Sequence, residues 1–408
     1  MATKRLYRTD RYLTTNKSTV TAVREKNGFD LITTVESYFY PEGGGQPSDI
    51  GKVWLRNVPY AVTHASCEDL ESDVWHLTDA PAGTFHEGDA VTLVVDWDFR
   101  FRNMQRHCGE HMLSGAMYSL FGGVNKGFHM GDDYTTIDID LGGRMLTEEE
   151  LRLAEKTVND AIWADLPVET LWFDDYESSK VMPVRKAVPH EGRVSVVVVG
   201  GPEDPFDCIA CCGTHPSSAG QVGLVAIYKC EPNKGMNRIF FDCGSAAFEK
   251  LTGDSKLLSD IAKRYSCSPH DLPGRLDIEA DNNAALRARL AALSSYVRDN
   301  EKAAILRGIS EAGSSVFTYY SDLLSTDELL KLGFAVIGEA SGQLLALGHP
   351  ETNTCLLFSS GDVKCGQLIK AHASEYGGRG GGRDDNARAI FATAADMRRF
   401  ADALPEMI

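Results

Sequence analysis

The sequence contains no run of about 18 consecutive apolar residues, so nothing in it reads as a membrane-spanning helix. Its first residues, Met1-Ala-Thr-Lys-Arg-Leu-Tyr-Arg8, lack the apolar core of an export signal. Ten cysteines in 408 residues are too few for a disulfide scaffold. Without an export signal they read as free thiols or metal ligands in a reducing cytoplasm, the expected location. A basic excess is also missing: 41 Lys and Arg face 58 Asp and Glu, a formal charge of −17. That sum opposes binding to phosphate over the whole surface, so a nucleic-acid partner would need a local basic patch and would release quickly. No long internal repeat occurs, and no Asp-His-His motif.

What remains is ordinary globular composition, 43% hydrophobic and 24% charged. The length predicts two to three domains with cores of their own, so a metal would not be needed merely to hold the fold. Residues 1–97 read as mainly strand, with the apolar run Val91-Thr-Leu-Val-Val95 and a turn at Gly43-Gly-Gly45. A helix is predicted from Asp98, its capping residue, to Phe121, with Gly122-Gly123 ending it. Alternation over Thr135–Leu141 predicts a half-buried strand, and Thr147 with Glu150 forms a capping box for the next helix. Leu171–Phe173, Val194–Val199 and Arg238–Phe241 read as further strands. Interleaving without βαβ rhythm gives an α+β fold. It comprises a β-rich part at 1–97, a second domain at 98–245, a helical connector at 246–312 and an α/β domain at 313–408. In the connector, Leu286, Leu290, Leu293 and Val297 fall at 4-3-4 spacing, which reads as a helical hairpin or a homodimer arm. In the last domain Ser315–Thr318, Phe334–Ile337, Leu344–Leu347 and Cys355–Phe358 read as strands. A helix over 366–376 runs into the glycine segment Gly377–Arg383.

Two half-motifs carry chemistry. His107 and His111 stand four apart on the predicted helix, so both imidazoles leave one face. Glu110 directly precedes the second histidine, which removes the general base of a thermolysin-type protease. The second half is Asp207-Cys-Ile-Ala-Cys-Cys-Gly-Thr-His215, three cysteines and a histidine after a strong strand. Thiolate and imidazole are preferred zinc ligands, and four from two segments complete a tetrahedron. Cys208, Cys211 and Cys212 all remain open as the sulfur ligand, and a closed structural zinc within this segment is the alternative.

The paired pattern resembles the editing domain of alanyl-tRNA synthetase and its free-standing relatives of the long form. Phe39-Tyr-Pro-Glu-Gly-Gly-Gly-Gln46 is similar to that family's glycine-rich loop, and Ala219-Gly-Gln-Val-Gly223 to the stretch after its Cys–His element. Gly377-Gly-Arg-Gly-Gly-Gly-Arg-Asp384 resembles the signature of its C-terminal domain, called DHHA1, although Ala387–Phe391 departs from the usual glycines. The resemblance implies one Zn2+ held by His107, His111, Cys211 and His215, with Cys212 where the family commonly has glycine. It implies hydrolysis of the 3′-terminal ester of tRNA of alanine identity wrongly carrying serine or glycine. Fewer than forty residues precede the first motif, so no aminoacylation activity is expected.

For such a reaction, zinc can activate water, polarise a carbonyl or only position the substrate. Gln46 can orient the water or the terminal ribose, or be a surface residue of a hairpin turn. Gly44 and Gly45 let backbone amides approach the substrate. Thr214 can recognise a serine hydroxyl or fix its own loop, and His129 is a loop candidate for acid–base work. Exposed amides of the Gly377–Arg383 run, with Arg379 and Arg383, suit phosphate contact where a helix begins, or pack between helices. Rival readings are a metallohydrolase of small esters or amides, and a non-catalytic zinc-containing tRNA-binding protein.

Overall fold

The computed structural model describes residues 2–69, 71–185, 192–340 and 342–408. The fold is α+β, and the chain forms two compact units, Met1–Asp260 and Ile261–Ile408. The first opens with strands β1 (Lys4–Arg5), β2 (Thr15–Lys26), β3 (Phe29–Thr34), β4 (Glu36–Ser37), β5 (Gly51–Leu55), β6 (Val58–Ser66), β7 (Trp75–Pro81) and β8 (Ala90–Val95). Six of them close a barrel in the order β2-β3-β7-β6-β5-β8. Val91, Leu93 and Val95 alternate inward with Val53, Ile32 and Phe85, filling the barrel with branched and aromatic side chains.

A histidine is among the polar side chains buried in the barrel wall. His76 on β7 is buried, with Nδ1 3.2 Å from the Ile32 carbonyl and Nε2 2.8 Å from Ser37 Oγ. A carbonyl can only accept, so Nδ1 carries the proton and Nε2 accepts from the hydroxyl. Burial lowers its pKa from 6.5 to about 4. The unfolded chain therefore takes up a proton before the folded one, and stability present above pH 6.5 is lost as pH falls towards 4. The shift corresponds to about 3 kcal/mol. Urea unfolding at pH 7 and pH 4 should show a His76→Gln variant losing about that much less than the parent. Equal losses would remove His76 as the cause.

A 25-residue helix α1 (Trp97–Phe121) follows, capped by Asp96, whose side chain accepts from the Phe99 amide. Asp98, the expected cap, is instead the acidic residue of the first turn, and Gly122 ends the helix in the left-handed region. Next come β9 (Val124–Met130), β10 (Thr135–Asp140), α2 (Glu148–Trp163) with the expected Thr147–Glu150 capping box, β11 (Val168–Phe173) and the short α3 (Tyr176–Ser179). The unit continues with β12 (Val194–Gly200), β13 (Pro205–Ala210), β14 (Val225–Asn233), β15 (Met236–Cys243) and the start of α4 (Gly244–Arg264). These strands form two antiparallel sheets, β14-β15-β10-β9 and β11-β12-β13. Helix α1 packs on both, and on α2, so it is buried on every side from Asn103 to Met117.

The second unit holds the 41-residue α5 (Leu272–Ala312), then β16 (Val316–Tyr320), α6 (Thr326–Ile337), β17 (Leu344–His349), β18 (Thr354–Ser359), α7 (Cys365–His372), β19 (Gly378–Gly382), β20 (Asn386–Phe391) and α8 (Ala394–Ala403). Its sheet has the order β16-β17-β18-β20-β19. Ile305 and Ile309 of α5, with Leu329, Leu332 and Val336 of α6, cover one face, and α7 and α8 cover the other. Buried on both faces, β17 and β18 are continuous apolar runs. Leu286, Leu290 and Leu293 of α5 are exposed.

Two expectations fail here. Phe334–Ile337, read as a strand, is the last turn of α6. The Ser325–Glu328 capping box starts that helix, and Leu329, Leu332 and Val336 recur at helical spacing inside it. Gly378–Gly382 does not lead into a phosphate-binding helix but is an edge strand on β20. Its glycines answer to packing. A Cβ on Gly380 would stand 2.0 Å from the Arg388 carbonyl, and one on Gly382 2.4 Å from Ala387 Cα. Arg379 and Arg383 are exposed. No described helix is long and apolar enough to cross a membrane.

Candidate metal centre

A helix buried on every side normally carries apolar residues all round. Helix α1 carries polar ones, and each must find a partner in the interior. Arg106 donates to both carboxylate oxygens of Asp242 at 2.7 and 2.6 Å. Glu110 accepts from Ser114 Oγ and Asn125 Nδ2, each at 2.7 Å. His107 and His111 find their partners in the loop after β13. Cys211 Sγ lies 3.4 Å from His107 Nε2 and 3.4 Å from His215 Nε2, and the three imidazole centroids are 4.5–4.8 Å apart.

One donor atom from each of His107, His111, Cys211 and His215 falls within 4.8 Å of all the others. Zinc bonds of about 2.0 Å to nitrogen and 2.3 Å to sulfur place neighbouring tetrahedral ligands about 3.4 Å apart. His111 Nε2 is buried without a hydrogen-bond partner, as a nitrogen reserved for an ion would be. The donor set and its spacing therefore fit one metal ion. Burial alone would raise the Cys211 thiol, but the three imidazoles outweigh it and hold it well below the usual thiol range. That favours the thiolate a metal needs.

Cys208 and Cys212 stand apart from this cluster. Cys208 packs with Val194, Val196 and Val198 on the opposite face of the β11-β12-β13 sheet, because neighbours along a strand alternate sides. Cys212 turns towards the glycine-rich loop, 3.4 Å from where a Cβ on Gly44 would stand. Gly213 gives His107 its room, since a Cβ there would sit 2.3 Å from the ring's Cε1.

Gln46 is 1% exposed and lies behind His107. Its Oε1 accepts from the Thr214 amide at 3.0 Å and is 2.9 Å from His107 Nδ1, while its Nε2 donates to Thr214 Oγ1 at 2.8 Å. An oxygen that accepts a backbone N–H must also accept from the ring. His107 is thus protonated at Nδ1 and presents bare Nε2 to the cluster. Gln46 and Thr214 are committed to each other, so the surface-turn alternative for Gln46 is excluded. Gly44 and Gly45 have φ of +59° and +82°, and a Cβ on Gly45 would strike the Phe128 ring at 2.5 Å. Phe128 stacks on His107, centroids 5.5 Å apart.

Sequence reasoning missed Phe128 and Glu110, whose Oε2 is 3.0 Å from His111 Nδ1 though off the line of a hydrogen bond. It also missed Arg185, which is buried against Asp207 at 2.7 Å. No local signal marks Phe128 and Arg185, because their partners come from other segments, whereas Glu110 lies beside His111 and one turn before Ser114, within its own helix. A cavity of about 350 Å3 opens beside the cluster, lined by Gly44, Glu110, Asn125, Arg193, Ser195 and Cys212 among others. His129 is exposed and lines a different cavity, on the other side of the loop.

The segment 194–240, which carries β12, β13, Cys211 and His215, matches the family described as the threonyl and alanyl tRNA synthetase second additional domain. The likeness extends well beyond it. The chain is 26% identical over 396 residues to the alanyl-tRNA editing protein AlaX-L of Pyrococcus horikoshii, covering 94% of each chain. It is 28% identical to the alanine–tRNA ligases of Caldivirga maquilingensis and Pyrococcus abyssi, over 95% and 93% of its own length. It spans only 42% and 41% of theirs. The resemblance read from the motifs is borne out.

Proposed function

We propose that the protein hydrolyses the ester joining a wrong amino acid, serine or glycine, to tRNA of alanine identity, acting in trans in the cytoplasm. The observation that carries this is the cluster of His107, His111, Cys211 and His215 at the wall of a cavity, in a chain similar end to end to a protein named for alanyl-tRNA editing. These four residues would hold one Zn2+. Bound there, the ion supplies a Lewis acid beside the cavity. Gln46 acts through His107 by fixing its tautomer, and Thr214 fixes Gln46. Gly44, without a side chain, leaves room at the cavity wall for the terminal ribose. His129 lines a neighbouring cavity together with Gly45, Gln46 and Phe128, and is the candidate for acid–base work there. Arg379 and Arg383, exposed on and just after the edge strand, offer charge to tRNA phosphates in the DHHA1-like unit. The exposed Leu286, Leu290 and Leu293 suit a homodimer contact.

The test is deacylation of Ser-, Gly- and Ala-tRNA of alanine identity, with zinc measured in the same sample. We expect about one zinc per chain and faster loss of serine or glycine than of alanine. Protein that holds no zinc and leaves both Ser- and Gly-tRNA intact ends this reading.

A further inference from the structure

The cavity does not stop at the cluster. Cross-strand register continues a row of side chains outward from Cys211. The Cys211 amide donates to the Ser195 carbonyl at 3.0 Å, and Ser195 on β12 pairs with Trp172 on β11. Strand alternation places all three on the face towards α1, since Val194, Val196, Leu171 and Phe173 pack together on the other. At about 4.8 Å per strand, Trp172 lies about 10 Å from Cys211.

Trp172 is half-buried, and two arginines meet it. The Arg8 guanidinium lies 5.0 Å from the ring centroid and that of Arg193 5.1 Å. Arg193 is exposed and also lines the cavity beside the cluster. Arg8 is additionally paired with Glu71 at 3.2 Å. A flat aromatic surface with guanidinium groups around it, one strand beyond a cavity rim, is unusual on a chain of net charge −17. Its chemistry matches single-stranded nucleic acid: a base stacks on the ring or on an arginine plane, and the charges meet the phosphate.

We propose that Trp172, Arg8 and Arg193 form a subsite for the nucleotide that precedes the terminal adenosine of the tRNA. The assignment rests on the tRNA reading above and gives the 3′ end a direction. The terminal ribose with its ester enters at the cluster, and the chain leaves past Arg193 and over Trp172. The subsite also supplies the local positive charge that a strongly acidic RNA-binding chain needs.

The test is a cycle between protein and RNA, read by binding of uncharged tRNA, with deacylation as a second readout. One tRNA lacks only the terminal adenosine and the other lacks the last two nucleotides. The parent protein should bind the longer tRNA about tenfold or more tighter, and Trp172→Ala should erase that difference while barely changing affinity for the shorter one. Trp172→Phe, which keeps a stacking surface, should restore most of it. Arg193→Ala should make the dependence of log Kd on log salt shallower by about 0.7. On Ser-tRNA, Trp172→Ala should raise KM with kcat little changed, and should leave hydrolysis of a 3′-seryl adenosine as it was. If the parent deacylates Ser-tRNA but Trp172→Ala weakens both tRNAs equally or neither, the subsite is wrong and the editing reading stands. If the parent neither deacylates nor distinguishes the two tRNAs, both fall.

Discussion

Cys211→Ala is expected to lower zinc affinity more than about 100-fold and to abolish hydrolysis, whereas Cys212→Ala should retain both zinc and most activity. The lower bound follows because loss of an outer partner of a metal ligand already costs about 10- to 100-fold. Cys211 is the sulfur placed 3.4 Å from two of the imidazole nitrogens, and three histidines hold its thiol in the range where it ionises readily. Cys212 is adjacent in sequence but faces Gly44, and burial raises its thiol. The measurement is zinc content after dialysis against a graded chelator, with Ser-tRNA deacylation on the same samples. Metal loss from Cys212→Ala with retention in Cys211→Ala would move the ligand by one residue.

The metal cluster was legible because its information is local. Four-residue spacing on a helix and a Cys-x3-His loop each dictate a direction, whatever the rest of the fold does. Gln46 shows where that stops. Its sequence suggests a residue facing substrate, but its hydrogen-bond partners lie 61 and 168 positions away and turn it inward. Glycine-rich segments mislead in the same way. Gly44 and Gly45 need positive φ, a property of their own backbone, while Gly380 and Gly382 are small only because β20 crowds them. A glycine run looks alike in both situations until the neighbouring strand is known. Phe334–Ile337 is different, because the deciding signal was present. A short apolar run fits strand or helix, and the Ser325–Glu328 box, which starts nine residues upstream, settles it. Barrel closure had no sequence signal at all, because pairing of β2 with β8 joins segments separated by the whole barrel.

Arg100→Met should destabilise the first unit by about 3–5 kcal/mol. Arg100 and Asp49 are both fully buried side chains. The guanidinium donates through Nε to Asp49 Oδ1 at 2.7 Å and through a second nitrogen to Oδ2, and it also reaches the carbonyls of Tyr38 at 2.6 Å and Arg11 at 3.2 Å. Asp49 in turn accepts from the Tyr40 amide at 2.6 Å. One side chain on α1 thereby ties down both flanks of the Gly43–Gln46 loop, so the same substitution should also loosen Gln46 from His107 and weaken zinc binding. Burial pushes the Asp49 carboxyl up and Arg100 opposes it, so once Arg100 is gone the carboxyl takes a proton rather than stay charged. Protonation limits the loss but leaves four carbonyl and carboxyl contacts unmade. Replacing both partners by apolar residues, Arg100→Met with Asp49→Leu, should recover part of the stability while leaving the loop untied. Urea unfolding of the full chain separates the effects, read as the midpoint of the transition that includes the barrel, with zinc affinity measured in parallel. A loss below about 1 kcal/mol for Arg100→Met would mean that the pair does not hold the loop. Recovery of zinc affinity in the double variant would mean that Gln46 keeps its place on His107 without it.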